Sequence, residues 1–146
     1  VGSHNVPGIV GLAAAVGFLR QRGMDAIGAH DGQLTSRLLA GLCEIKGVTI
    51  HGPVTIDRRI GVVSITISGY DPQEVACSLD AAYSIQVRSG IHCAPLLHQA
   101  LGTAEGGGTV RFSIGPFTTE EDIDAATGAV GQIASAAVEM DEPSKT

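Results

Sequence analysis

The spacing of apolar residues changes at Gly47, and this change limits the folds that the chain can adopt. Before Gly47, apolar side chains recur every three or four residues in two successive segments, so helices are predicted over residues 7–22 and 24–46. After Gly47, the apolar residues Val63, Ile65 and Ile67 alternate with polar ones, which is typical of a strand with one buried face.

Beyond residue 47 the predicted strands and helices alternate. Strands are predicted at residues 48–50, 60–67, 85–87 and 109–114, and helices at 72–83, 95–101 and 120–138. Asp71 and Thr119 each precede one of these helices and are residue types that favour the N-cap position. We therefore expect an α/β fold of the α+β sandwich type, with a sheet of three or four strands, helices on one face, and two helices ahead of the sheet.

Length, charge and cysteine content exclude several classes of function. A chain of 146 residues suits one compact core, and a net charge of −6 argues against a nucleic-acid partner. No apolar run approaches the roughly twenty residues of a membrane span, so no membrane partner is expected. Cys43, Cys77 and Cys93 form neither a CxxC pair nor an even set. With no secretory signal at the start, they predict reduced thiols and a cytoplasmic location.

One segment places a thiol beside groups that favour its reactive form. Arg88 lies five residues before Cys93, and a helix is predicted to begin just after it; both features stabilise a thiolate. We expect Cys93 to be alkylated faster than the other two cysteines. His92 is placed to move a proton, and Arg111, on a predicted strand, to bind a carboxylate through two parallel hydrogen bonds. Together they predict a site of amino-acid size.

Each of these residues also has an ordinary structural interpretation. An isolated cysteine is often a small buried hydrophobe, a lone histidine is often a surface or core residue, and both arginines could pair with acidic residues at the surface. His92, Cys93 and His98 lack a fourth partner at zinc spacing, so no metal site is expected. The glycines at 106–108 lack the strand-to-helix setting of a dinucleotide loop, and we interpret them as a flexible turn.

Four motifs, in order along the chain, resemble those of one protein family. Residues 88–95, RSGIHCAP, resemble the RxGxHCA segment around the persulfide-forming cysteine of cysteine desulfurases with a short active-site loop. Residues 108–113 resemble the family's GxxRxS strand, residues 119–124 its NTxEEID helix start, and residues 2–9 its GTxNxxGI segment. The chain thus resembles the C-terminal part of a class V aminotransferase-family enzyme that uses pyridoxal phosphate, in the selenocysteine lyase-like branch of the desulfurases.

The resemblance implies a role for each of five residues. Cys93 would attack the sulfur of cysteine bound to pyridoxal phosphate and become a persulfide, leaving alanine. Arg111 would bind the substrate carboxylate, Arg88 would position cofactor or substrate, and His92 would assist proton movement. Ser3 stands where the family has a threonine whose hydroxyl reaches the cofactor phosphate of the neighbouring subunit, so it is the expected cofactor-binding residue.

The resemblance also implies a division of the chain into parts of a larger enzyme. We expect a remnant helix of the cofactor-binding large domain over residues 1–23 and a long connecting helix over 24–46. The small C-terminal domain of a fold-type I pyridoxal-phosphate transferase would cover 47–140, and a disordered tail 141–146. The cofactor needs a Schiff-base lysine, and neither Lys46 nor Lys145 has the family's Ser-x-His-Lys setting. The chain alone is therefore expected to bind no cofactor and to be inactive.

Expected partners follow from the same resemblance. They are a cysteine-like amino acid as substrate, a sulfur acceptor protein, and further copies of the chain in a homo-oligomer. Two other functions stay open. The chain could belong to a class V aminotransferase or lyase of other specificity, or it could be a cofactor-free sulfur-relay module that receives sulfur on Cys93.

Overall fold

The computed structural model describes residues 2–141, with side chains as far as residue 136. The elements, in chain order, are α1 Val6–Arg22, α2 Met24–Cys43, β1 Val48–His51, β2 Val62–Ile67, α3 Pro72–Tyr83, β3 Arg88–Gly90, α4 Pro95–Leu101, β4 Thr109–Ser113 and α5 Glu120–Asp141. A single 3-10 turn, Ile56–Arg58, lies between β1 and β2. Val1 and the last five residues of the expected tail lie outside the described residues, whereas Asp141 ends α5.

The four strands form one antiparallel sheet in the order β1-β2-β4-β3. One face of the sheet packs against α2, α3 and α5, and it carries the buried residues Val63, Ile65, Val110 and Phe112. Leucines of α2 complete the same core, and Leu38 and Leu42 are fully buried. The predicted fold class is therefore confirmed, and the second half of α2 shares the core of the sheet.

The opposite face of the sheet, here called the outer face, carries the residues that alternate with the core residues. On β4, Thr109 and Arg111 alternate with the buried Val110 and Phe112, because successive side chains of a strand point to opposite faces. Directly paired residues of adjacent strands share a face, so the outer face can be followed across all four strands.

Two helix starts agree with the caps expected from the sequence. The Asp71 carboxylate accepts a hydrogen bond from the backbone N–H of Gln73 at 2.7 Å, and the Asp71 N–H donates to the Glu74 carboxylate at 3.2 Å. Thr119 and Asp122 form the same reciprocal pair before α5, at 2.9 and 3.2 Å. Such boxes satisfy backbone donors that the first helical turn leaves free.

The third strand does not lie where its apolar residues predicted it. The strand expected at 85–87 is wrong, because the ladder with β4 begins only at Arg88. The backbone N–H of Ile85 donates to the carbonyl of Leu79 at 3.0 Å, so residue 85 still completes the end of α3. Ile85 and Val87 pack against the core without joining the sheet. Burial and strand pairing are separate properties at this point of the chain.

Three further elements are shorter than predicted, and one of them, β4, ends at Ser113, one residue early. The second helix ends at Cys43 instead of Lys46, with Glu44 as its C-cap. The second strand begins at Val62 instead of residue 60, because the preceding loop is held in a non-strand path by Arg59. The Arg59 guanidinium donates to the carbonyls of His51 and Val62, both at 2.9 Å.

The first helix differs from the rest in its exposure. Ile9, Leu12 and Val16 are 59%, 67% and 47% exposed, and no residue of α1 is buried. Its contact with the remainder of the chain includes Phe18, which stacks on Phe117 with ring centroids 5.3 Å apart. Among the described helices, none is long and apolar enough to cross a membrane.

Candidate active site

The outer face carries a row of four polar side chains, one from each strand. Arg88 on β3 lies directly opposite Arg111 on β4, Arg111 lies opposite Ser64 on β2, and Ser64 lies opposite His51 on β1. Like charges directly opposite each other destabilise a sheet. Among residues 2–136, whose side chains the structure describes, the ion pairs found are those of Arg37 with Glu120 and Asp124, and neither arginine of the row has a carboxylate partner.

Arg111 is the residue of the row that has an unsatisfied hydrogen-bond donor. Its Nε is buried and has no hydrogen-bond partner among the described residues. A buried donor without a partner loses its hydration and gains nothing in return. A guanidinium bound to a carboxylate satisfies two donors at once, so the arrangement suits a small carboxylate.

His92 lies beside the arginine pair. Its Nε2 is 3.1 Å from the carbonyl oxygen of Thr109, and its ring centroid is 5.7 Å from that of His98. Its Nδ1 is buried and has no partner within the described part of the chain. Burial lowers the pKa of His92 below its usual value, and the charges of Arg111 and Arg88 lower it further, while the hydrogen bond to Thr109 opposes them.

Cys93 is exposed and lies in the turn between β3 and α4. It is therefore not the small buried hydrophobe that the ordinary interpretation required. His92 and Cys93 have φ angles of 53° and 59°, so two consecutive non-glycine residues adopt the left-handed conformation. This conformation costs about 1–2 kcal/mol per residue, and such costs concentrate at functional sites. Cys43 and Cys77 are also exposed, so exposure alone does not distinguish Cys93.

Two glycines bring the turn close to β4. A Cβ added to Gly108 would lie 2.2 Å from the carbonyl oxygen of Gly90, and both residues have positive φ angles, of 99° and 102°. The interpretation of residues 106–108 as a flexible turn is therefore incomplete. Gly108 is buried and its backbone conformation and close contact require glycine. The close approach begins the β3–β4 pairing that places Arg88 opposite Arg111.

The structure adds two histidines that the sequence did not connect with the site. His98, considered only as a metal ligand, is buried, and its Nδ1 lies 2.8 Å from the Thr103 hydroxyl. His51 is hydrogen-bonded to the Thr66 hydroxyl at 3.1 Å. Its pKa is lowered by burial and by the proximity of His98. Alternation along β1 places His51 on the polar face with Thr49, a signal that could have identified it.

Ser3 and Lys46 are not brought to this cluster. Ser3 is exposed ahead of α1, and none of the hydrogen bonds between described residues joins it to the outer face. Lys46 lines a groove with Gly131 and Ser135 of α5, on the helix-covered side. No lysine amine of residues 2–141 therefore faces the arginine row. Among the residues whose side chains are described there is no group of three or more potential metal ligands.

Comparison with known proteins gives a consistent result. The family model for Aminotransferase class-V matches residues 1–126. A probable cysteine desulfurase from Halalkalibacterium halodurans is 39% identical over 124 residues, which cover 85% of this chain and 29% of that protein. The apo structure of a cysteine desulfurase from Thermococcus onnurineus NA1 superposes with a TM-score of 0.85 at 33% identity, covering 93% of this chain and 33% of that one.

A second solved structure, the cysteine desulfurase CsdA from Escherichia coli, has a TM-score of 0.78 at 26% identity, covering 96% of this chain and 32% of that one. The chain thus spans about 30% of the length of the curated relatives that it matches. The extent of the family match and the agreement in fold together show that this chain belongs to the class V aminotransferase family.

Proposed function

We propose that this chain is the C-terminal part of a pyridoxal-phosphate-dependent cysteine desulfurase, in which Cys93 receives sulfur from the substrate. The observation that carries the proposal is the arginine row. Arg111 has a buried donor without a partner, Arg88 lies directly opposite, and the exposed thiol of Cys93 lies in the turn that follows β3. Relatives named as cysteine desulfurases support the choice of reaction.

The proposed reaction needs no outside oxidant or reductant. The Cys93 thiolate forms a bond to the substrate sulfur as the carbon–sulfur bond of cysteine breaks. The electron pair of that bond stays with the carbon fragment, which is protonated to alanine, and the enzyme keeps the sulfur as a persulfide. Bound pyridoxal phosphate supplies the electron sink for this cleavage. The residues of this chain bind and orient the substrate, with Arg111 on its carboxylate and Arg88 beside it.

The Schiff-base lysine that the cofactor needs is proposed to lie in a part of the complete enzyme outside these 146 residues. Lys46 lies on the helix-covered side, away from the arginine row. Ser3 is exposed ahead of α1, and no hydrogen bond between described residues joins it to the outer face. We propose that α1 belongs to the large domain and α2 to the connection, and that Ser3 meets cofactor phosphate only in an assembled dimer. The chain by itself is then inactive, and a sulfur acceptor protein takes the persulfide in the complete enzyme.

The test is to map sulfur in the complete gene product loaded with pyridoxal phosphate. After reaction with L-cysteine, mass spectrometry of the peptide containing Cys93 should show one added sulfur atom, with alanine formed in equal amount. Cys93→Ser should abolish both, whereas Cys77→Ser, at another exposed thiol, should leave both unchanged. Alanine formed at the same rate in Cys93→Ser would reject Cys93 as the sulfur acceptor. Amino transfer to a keto acid, with no alanine formed from cysteine, would reject desulfuration in favour of another class V reaction.

A further inference from the structure

The imidazole of His92 is held at one nitrogen and has no partner at the other. Nε2 lies 3.1 Å from the carbonyl oxygen of Thr109, which can only accept a hydrogen bond, and at the longer distance of 3.4 Å from the Thr109 hydroxyl, which can accept as well. Nε2 therefore carries the proton and donates. In the neutral ring Nδ1 is then a bare acceptor, and it is buried without a partner among the described residues.

This arrangement is unfavourable for a residue that carries protons. A proton carrier must reach the group it serves, directly or through one water. Nδ1 is shielded from solvent and makes no hydrogen bond to the neighbouring Cys93 thiol. A positive charge on the ring is also disfavoured, because burial and the guanidinium of Arg111 both lower the pKa of His92.

The same hydrogen bond connects two parts of the candidate site. His92 belongs to the left-handed turn that presents Cys93, which is closed by a hydrogen bond of 2.9 Å from the Ala94 N–H to the carbonyl of Ile91. Thr109 is two residues before Arg111 on β4, on the same face. The bond from His92 to Thr109 thus ties the thiol-bearing turn to the strand that carries the carboxylate-binding arginine.

His98 supports the ring from the other side. It is buried at 3% exposure, its ring is tilted against that of His92, and its Nδ1 is fixed by the Thr103 hydroxyl at 2.8 Å. The His92 ring therefore lies between β4 and the first helix after the turn. The position of the His92 ring depends on packing and on hydrogen bonding to Thr109, both of which survive without any change of protonation.

We propose that His92 is a positioning residue and not a proton carrier: its Nε2–H holds the Cys93 turn against the strand of Arg111. The inference rests on the proposed function for what the turn presents, but the anchoring bond is present whatever the reaction. It replaces the role in proton movement that the family resemblance implied for His92.

Glutamine and alanine substitutions separate the two roles. In His92→Gln the side-chain amide can still donate to the Thr109 carbonyl but cannot take up a proton, whereas His92→Ala can do neither. Amide hydrogen exchange of Ala94, measured in the 146-residue chain, should speed up about tenfold in His92→Ala, the loss expected for one hydrogen bond. It should stay within about twofold of the unsubstituted chain in His92→Gln. The pH profile of Cys93 alkylation should likewise be unchanged in His92→Gln.

His30 provides a matched control, because its Nε2 bonds the Thr118 carbonyl at 3.0 Å in another part of the fold. His30→Ala should leave Ala94 exchange unchanged. The proposal is overturned if the Ala94 amide exchanges as fast in His92→Gln as in His92→Ala. It is also overturned if His92→Ala leaves Ala94 exchange unchanged, or if His30→Ala speeds it up as much as His92→Ala does. These readouts need no turnover, so a failure to find desulfuration would not affect them.

A measurement on the unsubstituted chain covers the case in which His92→Ala does not fold. Nitrogen NMR of labelled histidine reports which ring nitrogen carries the proton. A protonated Nε2 with a bare Nδ1 from pH 6.5 to 8 would support the proposal. A proton on Nδ1, or an imidazolium in that range, would reject it.

Discussion

At Arg111 a buried donor without a partner lies directly across the ladder from a second arginine. Both features cost stability: the donor has lost its hydration, and the like charges repel each other. A fold that retains both is stabilised by a ligand that removes them. A carboxylate does so, because it accepts from the guanidinium and neutralises its charge.

Replacing Arg111 should therefore stabilise the chain while removing ligand binding. Arg111→Met keeps most of the aliphatic stem and removes the unsatisfied donor, so we expect a gain of about 1 kcal/mol in the free energy of unfolding. Urea unfolding at pH 7.5 measures it. In the control, Arg37→Met, a paired arginine is removed and no gain is expected, because Arg37 donates to Asp124 at 2.7 Å. A loss of stability in Arg111→Met would contradict an unsatisfied site.

The two histidines with lowered pKa values predict how stability depends on pH. Burial lowers the pKa of His92 and of His51, so the unfolded chain binds their protons more readily than the folded chain does. Their contribution to the free energy of unfolding is complete above about pH 6.5, the usual pKa of histidine, and is lost as the pH falls below it. The pKa of Asp124 is also lowered, by Arg37, but from a usual value of 3.8, so it acts in a more acidic range.

We therefore expect the urea midpoint to fall between pH 7.5 and pH 5.5. The fall should be smaller in the double variant His51→Gln with His92→Gln, and unchanged in His4→Gln, at an exposed histidine. The same fall in the double variant and in the unsubstituted chain would rule out these two histidines as its source.

At the scale of elements, β3 and the turn after it are placed by backbone contact more than by side chains. Gly108 approaches the carbonyl of Gly90 more closely than any side chain allows, with φ at 99°. Gly108→Ala should cost about 2 kcal/mol or more of unfolding free energy, because the clash adds to the cost of the left-handed backbone. Urea unfolding checks this against Gly106→Ala, where the nearest atom is 3.9 Å away and little change is expected. Equal effects at the two glycines would exclude the close approach as the cause.

The elements that could be predicted from the sequence are those fixed by local interactions. The ranges of α3 and α4 follow from Asp71, Pro72 and Pro95, whose effects act within one helical turn. The position of β3 depends on which residues pair with β4, and Arg88–Gly90 has no strand-like pattern of its own. The fold class, and Cys93, Arg88 and Arg111 as candidates, came from the sequence. The proximity of His51, His92 and His98 could not be predicted, because it depends on the register of the sheet.

At the scale of the whole chain, charge and apolar surface are unevenly distributed. The net charge is −6, yet the row across the outer face contains two arginines. This arrangement favours anionic ligands at the outer face. The apolar residues of α1 form a second distinctive surface, since helices of a compact domain normally bury such residues.

We predict that the isolated chain self-associates through α1. Light scattering across a concentration series should show a mass above that of the 14.9 kDa monomer. The double variant Leu12→Glu with Val16→Glu should shift the chain towards the monomer, because charged side chains cannot be buried without partners. Leu96→Glu, at an exposed position of α4 instead of α1, is the control and should leave the mass unchanged. A chain that is monomeric at high concentration would contradict the prediction.

Alkylation with two reagents tests most directly whether the Cys93 thiol and the Arg111 guanidinium serve one site. Iodoacetate carries a carboxylate and iodoacetamide does not, so the ratio of their rates at each cysteine reports on nearby cations. We predict a ratio at Cys93 about ten times that at Cys77, equivalent to one charge-assisted hydrogen bond, and its collapse to the Cys77 value in Arg111→Gln. The same ratio at both cysteines, or a high ratio at Cys93 that survives Arg111→Gln, would contradict the account.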